Sequence, residues 1–528
     1  MNININIPIS LLQRIEKKVS QAMSVKTVIV MAILLGIAAT AYAFSKDVIV
    51  AYGDAESHLN IAKRVVQSLT PGAAQLGGIW LPLPHVLMIP FVWIDPLWRS
   101  GLAGSIVSGI AFVISCAYLY KTTYIITKNK YASFFSFTIF ALNPNILYLQ
   151  ATPMTELVLI MFFILSSYYF IRYIQAPTNT LALILAAFFG FCATLSRYDG
   201  WFLVLFEAAV IILMYIFKKK KWKEMEGKLI LFATLAFFGI ALWMIWDLLI
   251  LGDPFYFTNS QFSAKSQQQN WLKKGELPAY HNFFMSFAYY FVTAMSNTGI
   301  FSMLMALVGL VYFIFDKENK KRFYIAIILL VPFIFYVVTL FVGQSVIFIP
   351  HLTPVGFEWR LFNVRYGAMM VPIAAFFVGY LFYKKNWALR ALIICLFLSQ
   401  FAMYFVGYSK VITFADGVEG LSQAKRPDAE QWMAKHYDGG LVLLDDYTRT
   451  MSILRSNIPM QNVIYIGNKP YWEESFYQPE KYARWIVTQK DDAVWKNIFN
   501  NKIIEGRLYK YFNKVYTSPE ILIFRRIE

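Results

Sequence analysis

Long apolar stretches recur along most of this chain, and a bundle of membrane-spanning helices is the fold that accommodates them. A helix of about 20 apolar residues crosses a bilayer. The sequence offers about eleven such stretches: 27–45, 101–120, 131–149, 156–173, 179–195, 200–217, 229–250, 296–315, 323–342, 367–383 and 389–408. Only 15% of the 528 residues are charged and 58% are hydrophobic, which also places the chain in the membrane class. The expected fold class is mainly α: a polytopic membrane protein with about 11 transmembrane helices, interfacial helices in the first outer loop and a small outer α/β C-terminal domain.

The net charge of +17 points to orientation, not to nucleic acid. Arg14, Lys17, Lys18 and Lys26 precede the first stretch, and Lys121, Lys128 and Lys130 follow the second. Arg172, the run 218–221 with Lys223 and Lys228, Lys317 to Arg322, and Lys384, Lys385 and Arg390 fall in alternate connections after these. By the positive-inside rule all of them are cytoplasmic. The expected layout is a cytoplasmic amphipathic N-terminus (1–26), a transmembrane catalytic region (27–408) and an extracytoplasmic domain (409–528), in the plasma or inner membrane. Ala41-Tyr42-Ala43 has the look of a signal-peptide cleavage site, but an uncleaved first span is favoured because later spans need its orientation. Cys116, Cys192 and Cys395 lie apart inside apolar stretches, so no disulfide framework is expected.

After Tyr408 the composition changes. Strand-like runs at 440–445, 461–466, 482–488 and 521–525 alternate with helix-like stretches at 428–436 and 491–500.

The chemistry-bearing residues collect in the connections opposite the basic ones. The first reads Gly53-Asp54-Ala55-Glu56-Ser57-His58 and continues at helical spacing, so a short amphipathic helix is expected along the membrane surface, with its acids at the N-terminus. Asp54 could simply cap it. A second interfacial or re-entrant piece is expected at 80–98. Glu156 opens a span, where it could equally serve the helix terminus. Ser196-Arg197-Tyr198-Asp199 sets a cation beside a carboxylate, which a surface ion pair would also explain. His281 lies in a later connection, and the one after that carries His351, Glu358, Arg360, Arg365 and Tyr366. Spans hold the ends of these connections close together, so acids and arginines from several of them can share one cleft. Sugar transfer from a lipid phosphate needs that combination. A carboxylate takes the acceptor's proton, cationic forks receive the departing phosphate, and an apolar groove holds the lipid.

With Tyr52-Gly53-Asp54-Ala55-Glu56 after the first span, Glu156 in the second outer loop, and Arg365-Tyr366 with Pro372 opening a late span, the chain resembles the GT-C superfamily of integral-membrane glycosyltransferases. It is closest to the protein mannosyltransferase and aminoarabinose transferase branch, which uses polyprenyl-phosphate sugars. The resemblance implies a catalytic base or metal-binding acid at Asp54, with Glu56 as the alternative, and a lipid-phosphate contact at Arg365. Position adds Arg197, and His58, Glu156, Tyr198, Asp199, Glu358, Arg360 and Tyr366 are the further substrate-binding candidates. The oligosaccharyltransferase branch uses a divalent metal and most other branches do not. Asp54, Glu56 and Glu156 are the oxygen ligands that Mg²⁺ or Mn²⁺ would find here; no other cofactor is implied. The implied partners are a polyprenyl-phosphate-linked sugar, the bilayer, and an acceptor that is a protein, a glycolipid or a polysaccharide.

Two other readings use the same residues. A transporter or flippase would place ionisable groups near the bilayer midplane. Glu207 is the one deep acid, expected either to pair with a polar group on a neighbouring helix or to mark a proton path. A binding or sensory module on a membrane anchor would leave the loop acids without a role.

Overall fold

The computed structural model describes residues 23–216, 222–355, 357, 360–446 and 451–527. The N-terminal amphipathic stretch before residue 23, the lysine run at 218–221 and Glu358 lie outside them.

All eleven expected stretches are helical, but not all are single spans. Six helices are long and apolar enough to cross a bilayer: Val25–Ser45, Leu102–Thr127, Glu156–Gln175, Asp199–Ile216, Val364–Lys384 and Trp387–Phe405. Three bent pairs would raise the number to nine: Trp222–Ala236 with Phe238–Leu251, Phe283–Thr298 with Ile300–Phe315, and Arg322–Leu329 with Val331–Phe341. The expected eleven is not reached among the described residues. Lys130–Ala141 stops where Asn143 caps a new helix at Pro144, and Thr180–Thr194 has 15 residues. At 1.5 Å per residue that second helix spans roughly 22 Å, short of a core about 30 Å thick.

The bend at Gly299 is the sharpest, 113°, and only glycine suits it. Its φ is +91°, and a Cβ there would lie 2.6 Å from the Gln400 side chain.

The first long connection folds as helices Gly53–Val66, Leu83–Val92 and Asp95–Ser100. Gly53–Val66 is not laid out on a surface as its amphipathic pattern suggested. Glu56, His58, Lys63 and Arg64 are all buried in it. The polar side chains find protein partners instead of water. Lys63 donates to the Val92 carbonyl at 2.9 Å and pairs with Asp95 at 3.2 Å, while Arg64 pairs with Asp446 and lies over the Tyr465 ring.

The C-terminal region is a five-stranded sheet, β1 (Val442–Leu443), β2 (Val463–Ile464), β3 (Trp485–Gln489), β4 (Phe512–Thr517) and β5 (Ile521–Arg526), in the order β2-β1-β3-β5-β4. β1 runs parallel to β2 and β3; β5 is antiparallel to β3 and β4. Alternation of side chains sends Val442, Val463, Trp485 and Val487 into the core that continues through the helical body. Leu443, Ile464, Ile486 and Phe524 face a second core with Val494 and Leu508 from the covering helices. The sheet is thus clamped against the end of the bundle that holds the first connection.

Candidate active site

Local structure brings the charged residues to one end of the bundle. Asp54 is the second residue of Gly53–Val66, Glu156 the first of Glu156–Gln175, and Asp199 the first of Asp199–Ile216. Carboxylates at these positions sit in the favourable field of a helix N-terminus. Arg365 comes from the 3-10 turn Val364–Met370 that leads into the late span. The chain around Asp54 is stitched to the segment after the last span: Gly53 N–H donates to Ser422 O (2.9 Å) and Ala424 N–H to Ala51 O (2.7 Å).

Arg365 is the hub. Its Nη2 donates to Asp54 Oδ2 at 2.6 Å, its Nε to Glu156 Oε1 at 3.1 Å and its Nη1 to Ser422 Oγ at 3.1 Å. Asp416 Oδ2 stands 3.8 Å from Nη1. Arg197 shares the same Glu156 oxygen, at 3.2 Å, and also donates to Thr155 Oγ1 (3.1 Å) and to Asp199 Oδ2 (3.2 Å). Tyr336 OH closes the ring by donating to Asp199 Oδ2 at 3.0 Å. Both guanidinium groups lie over the Tyr366 ring, 5.1 Å away for Arg197 and 5.3 Å for Arg365, and Tyr366 stacks on Tyr336. A planar cation against an aromatic face keeps the forks oriented.

Four carboxylates (Asp54, Glu156, Asp199 and Asp416) surround two guanidinium groups, so acid is in excess. Glu156 and Asp416 are fully buried, whereas Asp54 is 23% exposed. The carboxylate able to meet a ligand is therefore Asp54. Burial pushes the Asp416 carboxyl up to about 7, against the opposing pull of Arg365.

A buried amide chain holds these segments in register. Asn297 Nδ2 donates to Val364 O (2.7 Å), Asn145 Nδ2 to Asn297 O (3.0 Å), and Thr413 N–H to Asn145 Oδ1 (3.0 Å). Tyr52 OH then donates to Thr413 O. The backbones beside Arg365, Asp416 and Asp54 are linked in one line.

The sequence candidates separate into groups. Asp54, Glu156, Arg197, Asp199, Arg365 and Tyr366 come together. Glu56 does not join them. At 100° per residue it lies about 200° around the helix from Asp54, where Arg426 Nη1 binds its Oε2 at 3.1 Å. Tyr198 spends its hydroxyl on the Ile79 carbonyl, 2.7 Å away. Arg360 is exposed, as are His281, stacked on Tyr280, and His351. Glu207 receives a hydrogen bond from Ser166 on the neighbouring helix at 3.0 Å, the pairing expected of a deep acid. The proposed ligand set Asp54, Glu56 and Glu156 does not fit a metal. Glu56 points elsewhere and a guanidinium lies between the other two. Among the described residues, no group of three or more His, Cys, Asp or Glu side chains is placed to hold an ion. Asp416, Ser422, Tyr336, His85 and Asn297 carry no signal in the sequence; they lie after the last span or inside apolar runs, where no local pattern distinguishes them.

A family model described as dolichyl-phosphate-mannose-protein mannosyltransferase matches residues 98–246, well under half of the chain. ArnT from Cupriavidus metallidurans, solved bound to undecaprenyl phosphate, superposes with a TM-score of 0.55 at 9% identity, over 94% of this chain and 98% of that one. The Archaeoglobus fulgidus oligosaccharyltransferase, solved with Zn and sulfate, superposes with a TM-score of 0.50 at 12% identity, over 94% of this chain and 73% of that one. The oligosaccharyltransferase AglB from Archaeoglobus fulgidus, solved with an inhibitory peptide and a dolichol-phosphate, gives 0.50 at 11%, over 94% of this chain and 73% of that one. No curated protein matches the chain. At these identities the likeness is one of fold, and it is the fold that the resemblance to the GT-C superfamily implied.

Proposed function

We propose that this chain is an inverting glycosyltransferase that moves a sugar from a polyprenyl phosphate to an acceptor at the extracytoplasmic face of the membrane. The observation that carries the reading is the direct pairing of a partly exposed carboxylate, Asp54, with a buried arginine fork, Arg365, at one end of the bundle. The basic connections fall at the opposite ends of the spans, which supports the assignment of sides and a plasma or inner membrane location. The relatives' ligands, undecaprenyl phosphate and dolichol-phosphate, support the class of donor.

Donor phosphate enters beside Arg365, with Arg197 behind it and Arg360 at the rim. An arginine fork that turns towards phosphate lets go of Asp54. The carboxylate then loses its counter-ion and becomes a stronger base at the moment the donor is loaded. The acceptor oxygen attacks the anomeric carbon from the face opposite the phosphate, and its proton passes to Asp54. The carbon–oxygen bond to phosphate breaks, and the electron pair leaves on the phosphate, held by the guanidinium charge. Glu56, as the alternative base, is disfavoured by its pairing with Arg426.

The test is a chromosomal Asp54→Asn replacement, with envelope glycans and glycoproteins profiled by mass spectrometry. Loss of one glycosylated product, with the protein still present in membranes, is the expected outcome. An unchanged profile, together with gradient-driven solute uptake in sealed vesicles, would move the reading to a transporter or flippase.

A further inference from the structure

One buried pair beside the reaction centre has no part in the scheme above. His58 lies one helical turn after Asp54 on Gly53–Val66, and its Nδ1 is 2.9 Å from Nε2 of His85, on helix Leu83–Val92. His58 is 3% exposed and His85 is fully buried. Trp80 packs against the His58 ring with centroids 4.8 Å apart. Residues four apart share a helix face, so His58 is on the side that carries Asp54, while Glu56 is turned to Arg426. The charged groups acting on His58 are Asp54, Arg365 and Arg197, all members of the cluster.

A single proton must lie between the two rings, and the surroundings decide whose it is. His85 Nδ1 is buried without a hydrogen-bond partner. If His58 donated, neutral or charged, His85 would accept at Nε2 and carry its own proton on Nδ1, burying an orphaned N–H. A charged His85 would bury the same N–H and an unpaired cation as well. If a neutral His85 donates, Nδ1 keeps only a bare lone pair, the less costly orphan. His58 then accepts at Nδ1 and carries its proton on Nε2. Burial agrees with neutral rings: it pushes His85 down to about 3, and burial, followed by the effect of His85, holds His58 well below its ordinary value.

We infer that His85 is a positioning residue that fixes His58 as the neutral Nε2–H tautomer, so that His58 offers an N–H to a phosphate oxygen of the donor beside Asp54. The identity of the ligand rests on the proposed sugar transfer; the tautomer does not. A neutral donor suits this place. An imidazolium one turn from Asp54 would stabilise its carboxylate and weaken it as a base.

The chain has five histidines, few enough for ¹⁵N-histidine NMR of the full protein in lipid nanodiscs. His58 is expected to be neutral and protonated at Nε2 at pH 7, and its Nε2–H signal should shift when undecaprenyl phosphate is added. His85→Phe should mix the His58 tautomers. His85→Gln, whose amide N–H can donate in place of the ring, should preserve the single form. His58→Phe should weaken undecaprenyl phosphate binding about tenfold or more, the scale of one hydrogen bond to a charged group. A proton on His58 Nδ1, an imidazolium at pH 7, or a His58 signal unmoved by the lipid phosphate would overturn the inference. The wild-type tautomer measurement decides even where a variant fails to fold. A chain that binds the lipid phosphate at His58 yet transfers no sugar would count against the proposed function and leave this inference standing.

Discussion

Arg365 Nη2 lies 2.6 Å from Asp54 Oδ2 although 311 residues separate them in the chain. The same guanidinium group reaches Glu156 and Ser422, so segments from the first connection, the second, the late span and the C-terminal region converge on one side chain. Such a hub makes distinct forecasts for its members.

Asp54 and Glu56, two residues apart, should behave in opposite ways. Asp54→Asn is expected to lower sugar transfer by about 100- to 10,000-fold, the usual contribution of a general base, with little change in melting temperature. Glu56→Gln should leave the chemical step nearly intact and loosen the tie to Arg426. Transfer assays and thermal melts on both purified variants check this; a dead Glu56→Gln enzyme of normal stability would reverse the assignment.

Glu156 accepts from two arginines through one oxygen and is fully buried. Removing its charge leaves two guanidinium groups under-compensated inside protein. Glu156→Gln should therefore cost about 3 to 5 kcal/mol of stability, the scale for breaking a buried pair from one side. Chemical denaturation in a mild detergent measures it, and a loss below about 1 kcal/mol would show that water reaches the cluster.

Asp416 gives a pH signature. Its carboxyl is raised to about 7 by burial, while the unfolded value is about 3.9. Between these values the unfolded chain has released a proton that the folded protein retains. Its contribution to stability accordingly falls as pH rises from about 4 to about 7 and is level above that. Melting temperatures of the wild type relative to Asp416→Asn should decline across that window. Undecaprenyl phosphate should bind more tightly as pH drops through 7, because a neutral Asp416 leaves the charge of Arg365 less cancelled. A flat difference curve would contradict both.

The amide chain predicts a positional effect without loss of any charged group. A Cβ on Gly367 would lie 2.4 Å from Thr293 O and from Asn297 Nδ2. Gly367→Ala must push the Arg365 turn away from Asn297 and should cost about 1 to 3 kcal/mol, the usual range for overpacking. Lipid-phosphate affinity should fall with it, as read by calorimetry.

Much of this was legible in the sequence, for identifiable reasons. Asp54, Glu156, Arg197 and Arg365 flank apolar runs, so topology alone collects them at one end. The helix at 428–436 was readable from its pattern, as were four of the five strands at least in part. β4 was missed because Asn513, Lys514 and Val515 are exposed and no apolar alternation marks it. The bend at Gly299 lies inside a hydrophobic run, whose average conceals it. The pairing of Glu56 with Arg426, across 370 residues, is tertiary and leaves no local trace. Asp416 and Asn297 were hidden in the same way.

The most direct test is a structure of the protein in lipid with undecaprenyl phosphate bound. The account predicts phosphate oxygens within hydrogen-bonding reach of the Arg365 guanidinium group, with Asp54 released from it and facing open space for an acceptor. Phosphate bound elsewhere, with the Asp54–Arg365 pair intact, would contradict it.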